Sequence, residues 1–137
     1  MKKKDFSEIS VGVKSVFSKT ITESDIFAFT GISGDFNPLH VSEQFARTSQ
    51  FKGRIAHGML VAGLIDYTLT DLAGLGAIHI SQSVRFKAPV KIGDTITVES
   101  VIIAVNQEKC RFNVQSTLTN QDETVVLTGE AELMLPK

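Results

Sequence analysis

The segment Ser33-Gly34-Asp35-Phe36-Asn37-Pro38-Leu39-His40 concentrates the ionisable and conformationally special residues of this 137-residue chain in one short stretch. Asp35 and His40, five residues apart, offer a carboxylate that accepts protons and an imidazole that can accept or donate them. Converging on one water molecule, two such groups are the minimum equipment for general acid-base chemistry. Pro38 fixes its own φ and restricts Asn37, and Gly34 permits a turn, so the stretch reads as a rigid loop. The same residue types are also plain turn formers. Asp35 could cap the following turn and His40 make an ordinary hydrogen bond, and spacing alone divides the two readings evenly. A second cluster, Gly53-Arg54-Ile55-Ala56-His57-Gly58-Met59, puts Gly58 where a long helix should begin. Unpaired N-H groups at a helix start suit an oxyanion, but taken by itself this glycine is better explained by close packing against a sheet.

Other chemistries find less support. The chain has no G-x-x-x-x-G-K-[ST], no G-x-G-x-x-G after a strand and no H-E-x-x-H, and His40, His57 and His79 show no evident metal spacing, so neither a metal nor a cofactor is expected. No serine sits in a G-x-S-x-G elbow, and Cys110 is expected in a strand as a small buried hydrophobe. A net charge of -1 supplies no field that would draw nucleic acid or an anionic membrane. Lys2-Lys3-Lys4, the one dense basic run, reads as a solvated tail. With one cysteine there is no internal disulfide, and no apolar secretory stretch opens the chain, which together point to the cytoplasm. Ile55 to Leu75 is apolar but interrupted by His57, Asp66 and Asp71, and reads as a buried helix rather than a membrane span.

The elements that must position these groups can be read from period and punctuation. The length, with 42% hydrophobic and 21% charged residues, fits one globular domain over 1–137. Thr22-Glu23-Ser24-Asp25 forms a capping box opening a short helix through about Phe29, followed by a loop from Gly31 to His40. A second short helix falls near Ser42 to Arg47. From Gly58 to Ala73 the sequence is apolar nearly all round, as for a helix enclosed on several sides, with Met59, Leu60, Leu64 and Leu72 in the core. From Ala77 the period becomes alternating. Phe112, Val114 and Leu118 oppose Asn113, Gln115, Thr117 and Thr119, while Ile96 and Val98 share a face of another strand after the turn Lys91-Ile92-Gly93-Asp94. In the last strand Val125, Leu127, Ala131, Leu133 and Leu135 oppose Thr128, Glu130 and Glu132, and Gly129 marks a bulge. The expected architecture is α+β, a curved antiparallel sheet wrapped around a long central helix.

Gly34 to His40, followed by Ile55-Ala56-His57-Gly58-Met59 and by Val84-Arg85-Phe86-Lys87-Ala88-Pro89-Val90, resembles the MaoC-like (R)-specific enoyl-CoA hydratases over nearly the whole chain. That resemblance implies a hotdog fold, usually a homodimer with the acyl tunnel near the subunit interface. It implies reversible hydration of a trans-2-enoyl-CoA to the (R)-3-hydroxyacyl-CoA. Asp35 and His40 would hold the reacting water, Asn37 would organise the loop, and the Gly58 N-H would receive the thioester oxygen. The nearest rival is a 3-hydroxyacyl-carrier-protein dehydratase, with a hotdog thioesterase and a non-catalytic acyl-CoA-binding module behind it. Some members carry a serine where this chain has Gly63, so contacts near the acyl group are expected to differ. Arg54, Lys52, Arg85 and Lys87 could meet coenzyme A phosphates but are equally well explained as solvated side chains.

Overall fold

A computed structural model describes residues 1–136. After a short 3-10 turn at Phe6–Glu8, the chain forms β1 (Lys14–Thr20), α1 (Glu23–Ser33), α2 (Pro38–Val41), α3 (Glu43–Arg47), α4 (Gly58–Gly63) and α5 (Ile65–Ala73). Four strands follow, β2 (Ile78–Phe86), β3 (Thr95–Asn106), β4 (Arg111–Thr119) and β5 (Val125–Met134). All pair antiparallel in one sheet of order β1-β3-β4-β5-β2. The expected alternation is observed in its middle strands: Ile96, Val98, Ile102, Phe112, Val114 and Leu118 are each at most 1% exposed. Ile65, Leu69 and Leu72 of α5 join them in the core, and α5 packs over β1 and β3.

The central helix departs from its expected form in two ways. It is two segments, α4 and α5, meeting at Leu64, whose N-H reaches the Val61 carbonyl in the tighter i to i−3 pattern. Nor is it enclosed all round. Leu60 and Leu72 are buried and Leu64 half-buried, but Met59 is 59% exposed and faces a cavity, and Asp66 and Tyr67 also meet solvent. A buried hydroxyl chain ties α5 to the sheet. Ser100 Oγ lies 2.6 Å from Ser116 Oγ and 2.7 Å from Thr68 Oγ1, and Thr68 donates to the Ile65 carbonyl. Because that last acceptor is a carbonyl, the donors run from Ser116 through Ser100 to Thr68, and the two inner hydroxyls each find both a donor and an acceptor.

Four further expectations are corrected. Helix α1 runs past Phe29 to Ser33, so Gly31 lies inside it; Gly34, at φ 75°, provides the left-handed close and donates to the Thr30 carbonyl. The β5 irregularity is not at Gly129. Leu118 pairs with Leu127 and Thr119 with Val125, so the extra residue is Val126, which is buried while Val125 is exposed. Gly129 pairs in register with Ser116, and a Cβ there would sit 2.6 Å from the Ser83 carbonyl oxygen of β2, so close strand approach explains it. Cys110 is buried but lies in the turn before β4 at φ 51°. Lys4 is not a solvated tail: its ammonium donates to the Asp71 and Leu72 carbonyls and so caps the end of α5.

The capping box of α1 is present as expected. Thr22 Oγ1 accepts from the Asp25 N-H, and Asp25 Oδ2 accepts from the Thr22 N-H at 2.8 Å. Burial alone would push the Asp25 carboxyl up, but the Thr22 N-H, together with Lys19 at 3.1 Å, holds it below its ordinary range. A carboxyl whose folded value is the lower one stabilises the fold above its unfolded value, and that contribution disappears as pH falls through the folded one. Asp25→Asn should therefore flatten the loss of stability between roughly pH 5 and pH 2, read from urea midpoints across that range. An unchanged acid slope would show that this carboxyl is not linked to folding.

Candidate active site

The loop between α1 and α2 is held by three successive side-chain-to-backbone bonds, each spanning two residues. Ser33 Oγ accepts from the Asp35 N-H at 3.1 Å, Asp35 Oδ1 from the Asn37 N-H at 3.1 Å, and Asn37 Oδ1 from the Leu39 N-H at 3.0 Å. The last makes Asn37 the N-cap of α2, with Pro38 in the first helical turn where its missing N-H costs nothing. Composition pointed to Pro38 and Gly34 as the restraints on this loop; its polar side chains add to them by replacing the ladder bonds that an irregular backbone lacks.

His40 follows on α2 and is 8% exposed. Its Nδ1 lies 2.7 Å from the Ile55 carbonyl oxygen, which can only accept, so Nδ1 carries the proton and Nε2 faces the loop. Asp35 Oδ2 is 4.0 Å from that Nε2, and the Asp35 side chain is 49% exposed. The separation is too long for a direct hydrogen bond and suits one bridging water. Gly58 opens α4 close by, where the first N-H groups have no partner within the helix. A Cβ on Gly58 would sit 2.6 Å from the Phe86 ring, so the packing explanation for this glycine also holds.

Asp35, His40 and Gly58 all line one cavity of about 610 Å³, walled mainly by apolar side chains including Phe29, Phe51, Met59, Val61 and Phe86. The Val126 bulge helps to shape it, since Val126 and Leu127 both reach the wall and the Val126 carbonyl accepts from the Lys87 and Ala88 N-H groups at its rim. Asn37 is brought to the loop but not to the cavity lining; it is exposed and acts on the backbone. Of the basic residues, Arg54 is committed to Glu23 at 2.7 Å and Glu43 at 3.3 Å, and the Glu23 hydrogen bond raises its already high proton affinity. Arg54 is therefore a clamp between α1 and α3, whereas Lys87 stands at the cavity wall. A Cβ on Gly63 would meet only open space.

The residue that sequence reasoning missed is His57. It is 3% exposed, with its ring centroid 3.9 Å from that of His40 and its Nε2 3.1 Å from the Asp35 carbonyl oxygen. Its proximity to Gly58 in sequence was the one available signal. Asp35, His40 and His57 bring potential ligand atoms within 4.8 Å of one another, a grouping that histidine spacing did not reveal. An ion would need a nitrogen lone pair from each ring. His40 Nε2 offers one; on His57, Nε2 is the donor to a carbonyl and the lone pair lies on Nδ1, which no hydrogen bond uses.

A curved sheet folded around a central helix, with a carboxylate and an imidazole beside an apolar cavity, is the architecture of the hotdog hydratases and dehydratases. The chain belongs to the MaoC-like family, and residues 6–125 match the MaoC like domain. It is 48% identical to an (R)-specific enoyl-CoA hydratase from Rhodospirillum rubrum, over 96% of this chain and 91% of that protein. It is 44% identical to a 3-hydroxybutyryl-CoA dehydratase from Methylorubrum extorquens, over 96% and 84% respectively. Among solved structures it is similar to the (R)-hydratase from A. caviae involved in PHA biosynthesis, with a TM-score of 0.89, 38% identity and coverage of 93% of this chain and 97% of that one. These relationships make the chain a hydro-lyase of the hydratase type.

A Cβ on Gly58 would displace the far end of the Phe86 ring, which is 54% exposed and free to turn aside. Gly58→Ala should therefore change stability by less than about 1 kcal/mol, read from thermal melts. A loss well above that would show that the ring cannot yield.

Proposed function

We propose that this chain adds water across the double bond of a trans-2-enoyl-CoA to give the (R)-3-hydroxyacyl-CoA, and catalyses the reverse dehydration. The observation that carries the reading is the 4.0 Å gap between Asp35 Oδ2 and His40 Nε2 at the apolar cavity. One water held there can lose a proton to the pair as its oxygen bonds to C3, while C2 gains a proton. Negative charge meanwhile develops on the thioester oxygen as an enolate. Positioned acid-base groups supply about 10²- to 10⁴-fold, and one oxyanion donor, here assigned to the Gly58 N-H, is worth roughly 3 to 4 kcal/mol. Asn37 serves indirectly, by capping α2 and donating its own N-H to Asp35 Oδ1.

Crotonyl-CoA with resolution of the product enantiomers is the direct test. The (R) product is expected, in the presence of a chelator as well as without it. Exclusive (S) product, or activity lost in chelator and restored by a divalent ion, would reject the proposal. Because both groups act on one water, Asp35→Asn and His40→Gln should each lower kcat by about 10²-fold or more with folding nearly intact. The double variant should be little worse than the poorer single. Strictly multiplicative losses would reject a shared water.

We also propose that the chain works as a homodimer, in the cytoplasm. Strand β2 is an edge strand, yet Ile78, Ile80 and Phe86 on it are 40–54% exposed, and Met59 and Tyr67 of the central helix are also open. An apolar sheet edge left unpaired is an invitation to association. No helix among the described residues is long and apolar enough to cross a membrane, and the lone Cys110 is unpaired, so the fold needs no oxidising compartment. Sedimentation at micromolar concentration should give a dimer; an active monomer would overturn this assembly.

A further inference from the structure

We propose that His57 is a positioning residue that sets Asp35 through its main-chain carbonyl and His40 through ring stacking, an inference that rests on the hydratase reading above. The Asp35 carbonyl oxygen can only accept, so the 3.1 Å contact places the ring proton of His57 on Nε2, which also lies 3.3 Å from the buried Thr30 hydroxyl. Nδ1 is then a buried lone pair, and it is the one buried side-chain polar atom among the described residues with no hydrogen-bond partner. Leaving such an atom unpaired costs free energy, and a phenyl ring would fill the space without that cost. What an imidazole adds over a phenyl ring here is the donor to Asp35.

The surroundings make that donor rigid. The ring is wedged between Phe29, at 4.9 Å between centroids, and His40, at 3.9 Å and 30° between planes. His57 is also the N-cap of α4, a place where side chains ordinarily accept from the helix N-H groups. Its side chain makes no capping bond and turns to the loop instead. One residue thus joins the end of α1 at Thr30, the carboxylate-bearing residue, the catalytic-pair imidazole and the start of the helix that carries Gly58. His40 is separately fixed by the Ile55 carbonyl, so His57 governs chiefly where the Asp35 backbone sits relative to it.

Two variants separate the donor from the ring. His57→Phe keeps the ring and its stacking but has no N-H, whereas His57→Gln places an amide N-H near the position of Nε2 without a ring. His57→Phe is expected to lower kcat at least about 10-fold with KM changed less than about twofold, since small misplacements of reacting groups act on turnover. His57→Gln is expected to recover most of that loss even where it melts lower. Wild-type turnover in His57→Phe, or His57→Gln no better than His57→Phe, would overturn the proposal. Long-range ¹H–¹⁵N spectra supply a second readout that needs no turnover. In the parent protein His57 should be the Nε2-H tautomer, and the Asp35 and Asn37 amide signals should move in His57→Phe. An Nδ1-H tautomer would overturn the proposal even if His57→Phe did not fold, as would unmoved amide signals in a folded His57→Phe. A parent protein inactive on enoyl thioesters would sink the hydratase reading, while the tautomer would still judge the placement of His57.

Discussion

Everything about the site depends on where the central helix sits, and that is set by burial of its apolar face against the concave side of the sheet. Ile65, Leu69 and Leu72 are at most 2% exposed against strands whose inward residues are equally covered. Each such side chain contributes about 1.5 to 3 kcal/mol through removal from water. Burial is non-directional, however, and would tolerate sliding or rotation of α5 over the sheet. The Ser116, Ser100 and Thr68 hydroxyl chain opposes that freedom, because a slipped helix would break the Thr68–Ser100 bond and leave the buried Ser100 hydroxyl without its acceptor. Lys4 fixes the far end by capping the last carbonyls of α5.

With the helix fixed at one end, its other end becomes a reference point for the chemistry. The chain before it is bound to the connection between β2 and β3 through Ala56 N-H to the Val90 carbonyl and through the bridge between Ile55 and Lys91. Ile55 in turn presents its carbonyl to His40 and so selects the tautomer that leaves Nε2 toward Asp35. The position and tautomer of the imidazole thus descend from the connection between β2 and β3 through the Ile55 backbone. Asp35 is placed differently, by bonds local to its own loop, and only its carbonyl is tied to the framework. The Asp35 carboxylate is left half-exposed while its backbone is held, which separates positional rigidity from solvent access.

Much of this was legible in the sequence where a local rule decides the outcome. The Thr22 capping box, the alternation in β3 and β4 and the Lys91 to Asp94 turn are each fixed by neighbours within a few residues, and each was found where expected, whereas the expected 31–40 loop shrinks to four residues because Pro38 opens a short helix that carries His40. The α+β sheet around a helix was also foreseen, and Asp35, His40 and Gly58, brought together only by the family resemblance, line one cavity. Features that depend on a distant partner were not legible. Met59 reads as core by composition, but only the fold shows that its side of α4 faces a cavity. Gly129 looks like a bulge to any local rule, and its reason is the Ser83 carbonyl of a strand far earlier in the chain. The real bulge at Val126 carries no punctuating residue. It comes from the register that β4 imposes.

His57 and Asn37 show the same division from opposite directions. Asn37 stands inside the chemical motif, yet its side chain bonds only within its own loop and does not reach the cavity. His57 lies 22 residues from Asp35 in sequence and is nevertheless the framework's hold on that residue's carbonyl. A motif read along the chain therefore overstates direct participation by residues that keep the loop in shape, and it hides the residue that ties the loop to the rest of the protein. On the proposed mechanism, with the reacting water between two side chains 4.0 Å apart, that tie matters as much as the pair itself. A carboxylate on a self-supporting loop, without a bond to the framework, would hold its own shape but not its distance to an imidazole fixed through Ile55.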